Sequence, residues 1–388
     1  MELFQREDEF SSGVYSRQQV GLVRGKGVRV WDEEGNSYLD CAGGIGVANV
    51  GHANEEVARA ICEQAGTLSV CPTAYFYNEK RAKLVQKLAR IAPGGLKRSF
   101  LCNSGTEAIE ASIKFARACR EKGEIVAAMR AFHGRTLGSL SATWNKKYRK
   151  PFRPLAGGFT HVPYGDSEKL EEAVTADTAA VLLEPIQGEG GVYPAPDGYL
   201  AEARQICDRT GALLILDEVQ TGFGRTGEMF ACQHWGVTPD LMAVAKAMGG
   251  GFPIGAALMR EDIRPDKGTH GSTFGGNPLA ASAALATINY IEDNELVDLA
   301  RKRGNYFKEG LQGLGEKYPK KVRAVRGLGL MLALQLRGRS ASYLNGLMEK
   351  GILALPAGST VVRFLPPLEI SENDVEEVVR SMDELLAS

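Results

Sequence analysis

No stretch of these 388 residues approaches the roughly 18 uncharged apolar positions that a membrane-crossing helix needs. The opening MELFQREDEF carries charges where a secretion signal needs its apolar region, so the expected setting is the reducing cytoplasm. The seven cysteines, at 41, 62, 71, 102, 119, 207 and 232, include no CxxC pair, and most sit among apolar neighbours. Structural zinc and a disulfide framework are both disfavoured. The five histidines (52, 133, 161, 234, 270) lack metal-ligand spacing, so no metal is expected. Neither sign of charge is in excess: 46 Lys plus Arg face 47 Asp plus Glu, a net charge of -1. That balance offers no basic field to a phosphate backbone, and nucleic acid is not an expected partner. What remains is a composition close to the soluble globular average, 44% hydrophobic and 24% charged, with 46 glycines against 16 prolines. Many tight turns are expected rather than disorder, in a chain with room for two or three cores.

Residues 1–50 read as an extended arm with short strands, Gly25–Val30 and Tyr38–Cys41 flanking a turn at Asp32–Asn36. From about 55 to 275, β-rich runs alternate with helical ones. The strand candidates are Arg98–Cys102, Ile125–Met129, Ala179–Glu184, Ala212–Val219, Leu241–Ala245 and Ala256–Met259. Such alternation predicts an α/β fold, a mostly parallel sheet with helices on both faces. Val181-Leu182-Leu183 and Leu213–Leu216 are continuously apolar, as strands buried on both sides are, which places them centrally. After Asn277-Pro278 the pattern changes to a helix through about Asp293, a second near Glu295–Leu314, strands over Val325–Leu336 and Ile352–Leu365, and a closing helix from Glu372. This predicts a smaller α+β unit.

Three places carry chemistry. Asp217 and Glu218 end an apolar run, at the edge of an α/β sheet where ligands bind; a turn cap and a solvated acid are the plainer alternative. Lys246 closes another apolar run before Gly249-Gly250-Gly251. Desolvation lowers the pKa of a buried lysine and makes it a Schiff-base candidate, unless the amine snorkels to solvent. Asn103-Ser104-Gly105-Thr106-Glu107-Ala108 follows a strand and opens a helix, offering backbone N–H groups and hydroxyls to a phosphate; taken alone, it reads as an ordinary N-cap. Together, a strand-end aspartate, an apolar-flanked lysine and a phosphate-shaped helix start are the parts that pyridoxal 5'-phosphate (PLP) chemistry requires.

With these parts in place, the sequence resembles the class III, fold type I aminotransferases over nearly its whole length. The matching blocks are Ala42–Gly46 with Gly51-His52, Asn103–Ala108, Phe132–Thr136, Glu184–Gly191, Leu216–Gly227, Lys246–Gly251, Gly271–Pro278 and Arg363–Leu368. Within that class it is most similar to the acetylornithine branch. Through Ser12–Tyr15, Val126–Arg130 and Ser141–Trp144 it is also similar to the branch that handles lysine or ornithine precursors on a small amino-group carrier protein. The resemblance implies a large domain, residues 49–275, on a mostly parallel seven-stranded sheet, with residues 1–48 and 276–388 forming the small domain.

The resemblance also assigns roles. It implies Lys246 as the Schiff-base lysine and proton carrier, Asp217 as partner of the PLP ring nitrogen, Gln220 near its phenolic oxygen and Phe132 stacked on the ring. Ser104, Gly105 and Thr106 would hold the phosphate, joined by Thr273 of a second subunit, which implies a homodimer. Arg135 would take a substrate carboxylate, Ser272 would touch substrate, and Glu189 would cover and uncover Arg363, so that one site accepts both glutamate and an ω-amine. Ile45 stands where ornithine aminotransferases carry a tyrosine, which favours an acylated α-nitrogen. The implied reaction moves the terminal amino group of N2-acetylornithine to 2-oxoglutarate, in arginine biosynthesis. The alternative is the same reaction on carrier-linked lysine or ornithine, in lysine biosynthesis.

Two features pull elsewhere. Gly222-Phe-Gly224-Arg-Thr-Gly227, with Asp240 beyond it, matches G-x-G-x-x-G and raises a nicotinamide-dependent oxidoreductase as a remote rival, although no helical pattern begins at Gly227. Lys146, Lys147, Arg149, Lys150 and Arg153 place five cations within eight residues, a solvated loop or a landing patch for an acidic carrier protein.

Overall fold

The structure, a computed structural model, describes residues 3–388; Met1 and Glu2 of the expected arm lie outside the described residues. Near the N-terminus β1 (Leu22–Lys26), β2 (Arg29–Asp32) and β3 (Ser37–Asp40) form a meander. The expected turn is there: the Asp32 carboxylate accepts from the N–H groups of Glu34 and Asn36 at 3.1 and 2.8 Å. The arm holds a helix, Leu3–Phe10, without a buried residue. Its lack of an apolar stripe is why periodicity does not reveal it.

Next come β4 (Arg98–Cys102), β5 (Glu124–Ala128), β6 (Phe159–Val162), β7 (Thr178–Leu183), the short β8 (Ile186–Gln187) and β9 (Tyr193–Pro194), β10 (Leu213–Asp217), β11 (Leu241–Val244) and β12 (Gly255–Met259). Seven of them make one sheet in the order β4-β12-β11-β10-β7-β5-β6, and only β12 runs antiparallel to its neighbours. The continuous apolar runs are central because both their faces are covered. Leu213 and Ile215 pack with Ile109, Ile113 and Leu182 on one side, and Leu214 and Leu216 with Leu183 and Val244 on the other. The edge strand β6 escaped the sequence prediction: Phe159-Thr-His-Val lies half-covered and lacks an apolar run.

The C-terminal part supplies β13 (Val322–Leu328), β14 (Met331–Leu336), β15 (Ile352–Leu353), β16 (Leu355–Pro356) and β17 (Val361–Phe364). A second sheet runs β13-β14-β17-β16. Val325–Leu336, expected as one strand, is a hairpin that turns at Gly329, whose φ of 51° suits glycine. Ile352–Leu365 likewise divides into three short strands. The short strand β15 pairs with β3, so both ends of the chain share the meander. Helices Pro278–Asp293, Leu296–Lys317 and Glu372–Ala387 follow the expected pattern, the first capped by Asn277 and opened by proline. Among the described residues no helix is long and apolar enough to cross a membrane.

Candidate active site

Parallel strands β7, β10 and β11 lie side by side, and the chain leaves each at the same edge of the sheet. Glu184, Asp217 and Lys246 follow or close those strands, so strand pairing brings together residues far apart in sequence. With Gly105, Thr106, Phe132, His133, Gly134, Arg135, Glu189 and Gln220 they line one cavity of about 250 Å3.

Lys246 is the unusual residue of this edge. Its φ of 46° is in the left-handed region, a strained conformation for a lysine. Burial, opposed by Glu189 and reinforced by Arg363, lowers its amine from the ordinary 10.5 to about 8. Asp217, 6% exposed, accepts from the Val219 N–H at 3.0 Å and meets His133 Nδ1 at 2.8 Å. His133 is itself held through its backbone N–H, which donates to Thr143 Oγ1 at 2.9 Å. Burial and then the Asp217 charge push the Glu184 carboxyl well above the usual range. It accepts from the N–H groups of Phe132 and Gly188 at 3.1 and 3.3 Å.

On the phosphate-shaped side, Ser104 caps the helix Gly105–Arg120 by accepting from the Glu107 N–H at 3.3 Å. The first N–H groups of that helix have no intrahelical acceptor. Thr106 Oγ1 sits 2.7 Å from Ser139 Oγ and 2.8 Å from Thr136 Oγ1. Gly134 closes over it: a Cβ there would lie 2.3 Å from Thr106 Oγ1. Arg135 is exposed, its guanidinium 3.7 Å above the Tyr148 ring and 5.4 Å from that of Phe132.

Behind the lining residues Glu189 and Gln220 lies Arg363, 2% exposed on β17. Strand alternation turns Val362 and Phe364 into the main core and leaves Arg363 on the face of Val361 and Leu365, which pack with Ile186 and Val192. Its Nη1 donates to Glu189 Oε1 at 2.6 Å and to Gln220 Oε1 at 3.2 Å. Burial raises the Glu189 carboxyl, but Arg363, Lys246 and Gln220 outweigh it and hold the group below its usual value.

Ser272 and Thr273 stand apart from this cavity. Ser272 Oγ accepts from the Gly275 N–H at 2.9 Å and lines another hollow with Tyr77, Arg81 and His270, while Thr273 is exposed. Sequence reasoning assigned no role to His133 and Glu184. Both lie inside the blocks that resemble the class III aminotransferases, and their adjacency to Phe132 and to a strand end is the signal the sequence offers. The Gly222–Gly227 run opens no helix, and Asp240 is 1% exposed and paired with Arg204 and Arg260 at 2.7 and 2.6 Å. It has no nucleotide-binding shape.

The family model described as Aminotransferase class-III matches residues 12–386. The chain belongs to the class III aminotransferases. It is 47% identical over 385 residues to a [LysW]-aminoadipate semialdehyde transaminase of Deinococcus radiodurans, covering 98% of this chain and 89% of that protein. An acetylornithine aminotransferase of Methanothermobacter thermautotrophicus is 46% identical over 97% of this chain and 96% of its own. Among solved structures, the acetylornithine aminotransferase of Elizabethkingia anophelis is 33% identical with a TM-score of 0.87 over 99% of this chain and 98% of that one. An ornithine aminotransferase of Toxoplasma gondii, described with partial PLP occupancy, is 32% identical with a TM-score of 0.93, covering 99% and 93%. Class III aminotransferases are PLP-dependent enzymes, and this chain is an aminotransferase.

Proposed function

We propose that this aminotransferase moves the terminal amino group of N2-acetylornithine to 2-oxoglutarate, yielding N-acetylglutamate semialdehyde and glutamate. The observation that carries this reading is the Glu189–Arg363 pair, 2.6 Å long, whose Glu189 lines the same cavity as Lys246. Glutamate reacts beside its α-carboxylate and needs an arginine there. An ω-amine brings no carboxylate, and a buried unpaired guanidinium would cost several kcal/mol. A carboxylate that alternates with the substrate's meets both needs, and Arg135 at the exposed end suits the more distant carboxylate.

The donor set fits PLP. Lys246 offers an amine with a lowered pKa, and Asp217 keeps lone pairs free beyond its bonds to His133 and Val219. Phe132 supplies an aromatic face, and the start of the helix Gly105–Arg120 supplies free N–H groups with the Thr106 hydroxyl. When bound, PLP supplies an electrophilic carbonyl and a ring that accepts the electrons of a broken C–H bond. Lys246 Nζ then takes the proton leaving the amine-bearing carbon of the substrate and returns one. Asp217, oriented by His133, would keep the ring nitrogen protonated. Gln220, whose Oε1 accepts from Arg363, would meet the phenolic oxygen.

Thr273 and Ser272 serve this scheme only from a second copy, so we assign a homodimer. Tyr75, Phe76, Tyr77 and Phe274 are exposed at 61% or more, and Thr73 Oγ1 donates to Gly275 O at 2.9 Å, which makes the two segments one patch.

A carrier-linked substrate is the second reading, favoured by the stacking of Arg135 on Tyr148, a residue inside the basic run 146–153. An acidic carrier landing there would sit at the mouth of the cavity. One experiment separates the readings. Half-reactions of the PLP-loaded enzyme are followed spectrally with acetylornithine, acetyllysine, ornithine, 4-aminobutyrate and carrier-linked amines; preference for the carrier-linked amines rejects the first reading. Changing Lys146, Lys147 and Lys150 to Gln then slows the carrier-linked substrate, chiefly at low salt, and leaves acetylornithine unchanged.

A further inference from the structure

The second sheet sets two arginines on one face. Arg326 on β13 pairs with Ala333 on β14, and Ala333 pairs with Arg363 on β17. The three form a row across the strands, and directly paired residues leave a sheet on the same side. Strand spacing puts the two arginines about 10 Å apart, with only a methyl group between them. The segment after β8 crosses over this row. Glu189 lies on Arg363 at 2.6 Å, and two residues further the chain lies on Arg326: Nη2 donates to Gly191 O at 2.8 Å and Nε to Val192 O at 3.3 Å.

Arg326 is itself held on all sides. Its Nη1 donates to Gln335 Oε1 at 2.6 Å, and the Tyr193 ring covers its guanidinium at 4.0 Å. All three nitrogens are therefore engaged within the chain, and the fork is not presented to substrate. The segment it holds does not rest in an easy conformation. Gly191 has φ 122° and Val192, a buried β-branched residue, has φ 54°, so the surroundings must hold it there. The Arg363 side is anchored independently: the Leu365 N–H donates to Cys41 O at 2.7 Å, and Arg225 Nη1 to Pro366 O at 2.5 Å.

We propose that Arg326 is the positioning residue of the Glu189 cover. By capping the carbonyls of Gly191 and Val192 it holds the backbone beside Glu189 in place, so the carboxylate covers and uncovers Arg363 by side-chain rotation over a fixed loop. This rests on the role given above to Glu189 and Arg363. Loosening the loop weakens the covered state, which the ω-amine requires, and spares the uncovered state, which glutamate uses.

The test compares R326M, R326K, E189A and the double variant R326M/E189A. Both half-reactions of the PLP-loaded enzyme are measured, with glutamate and with the best ω-amine of the panel, and the affinity for unreactive glutarate is measured by calorimetry. R326M lowers the second-order constant of the ω-amine half-reaction about tenfold, as expected for the loss of charge-assisted hydrogen bonds, and leaves glutamate within about twofold. Glutarate binds as tightly as before or tighter. In the E189A background the same change has no further effect on the ratio of the half-reactions. R326K shifts that ratio in the same direction by less, and decides the matter if R326M does not fold. Equal losses in both half-reactions, or a shift that persists in E189A, overturn the proposal. If E189A leaves the ratio at its wild-type value, the cover reading falls and takes the proposal with it; if E189A changes the ratio and R326M does not, the proposal alone falls.

Discussion

The floor of the cavity comes from adjacent parallel strands of one sheet, where Glu184, Asp217 and Lys246 leave the same edge. The facing wall instead joins the loop after β8 to the second sheet, through the Glu189–Arg363 side-chain contact and the bonds of Arg326 to the backbone of Gly191 and Val192. Floor positions follow from the pairing of fully buried strands, so a shift of any one would disturb the core on both sides of the sheet. The wall contact at Arg363 is between side chains, so under the proposed function a substrate carboxylate would replace Glu189 without moving a strand. One region holds charges in fixed places; the other, under the proposed function, would exchange a partner at each half of a reaction cycle.

Removing the amine of the floor tests this contrast most severely. Lys246→Ala is expected to abolish turnover while the protein stays folded and binds PLP noncovalently, since the ring and phosphate contacts remain. Borohydride reduction of the loaded wild-type enzyme with peptide mapping checks the assignment, and a label on another lysine would sink it. Asp217→Asn comes next: an amide cannot hold the ring proton, and activity should fall by more than about tenfold, roughly 1.4 kcal/mol, with PLP still bound. Retention of activity within that factor would remove Asp217 from the floor chemistry.

A wall substitution should behave differently. Glu189→Ala leaves Arg363 uncovered, so glutamate should react as well or better while the ω-amine reacts worse, measured as separate half-reactions. Parallel losses in both would make the wall as rigid as the floor. The remaining effect is on stability. Lys246 has a pKa of about 8 in the folded chain against an ordinary 10.5, so between those limits the unfolded chain binds more protons. Lys246 should therefore add stability to the cofactor-free protein as pH rises across that window and contribute no slope below it. Urea unfolding of wild type and Lys246→Met checks this, since the variant should lose the rise.

Legibility in the sequence followed the same division. Leu213–Leu216 and Val181–Leu183 announced central strands because burial on both faces demands unbroken apolar runs, and Asp217 and Lys246 were visible as charges ending such runs. The half-covered β6 and the hairpin turn inside 325–336 did not show, since an edge strand needs no apolar run and one glycine resembles any other. Arg363 was legible only through the family resemblance. Nothing in Val361–Phe364 says which of its faces meets Glu189, 174 residues away.

The sequence alone determined the α/β class, the central strands, and the lysine and aspartate at their ends. Hydrophobic periodicity and the cost of burying charge are local properties that act within a few residues. Only the tertiary structure decided that His133 stands behind Asp217, that Glu184 is buried beside it, and that Arg326 and Arg363 share a row under the loop of Glu189. Those relations arise from strand order and register, which long-range packing selects.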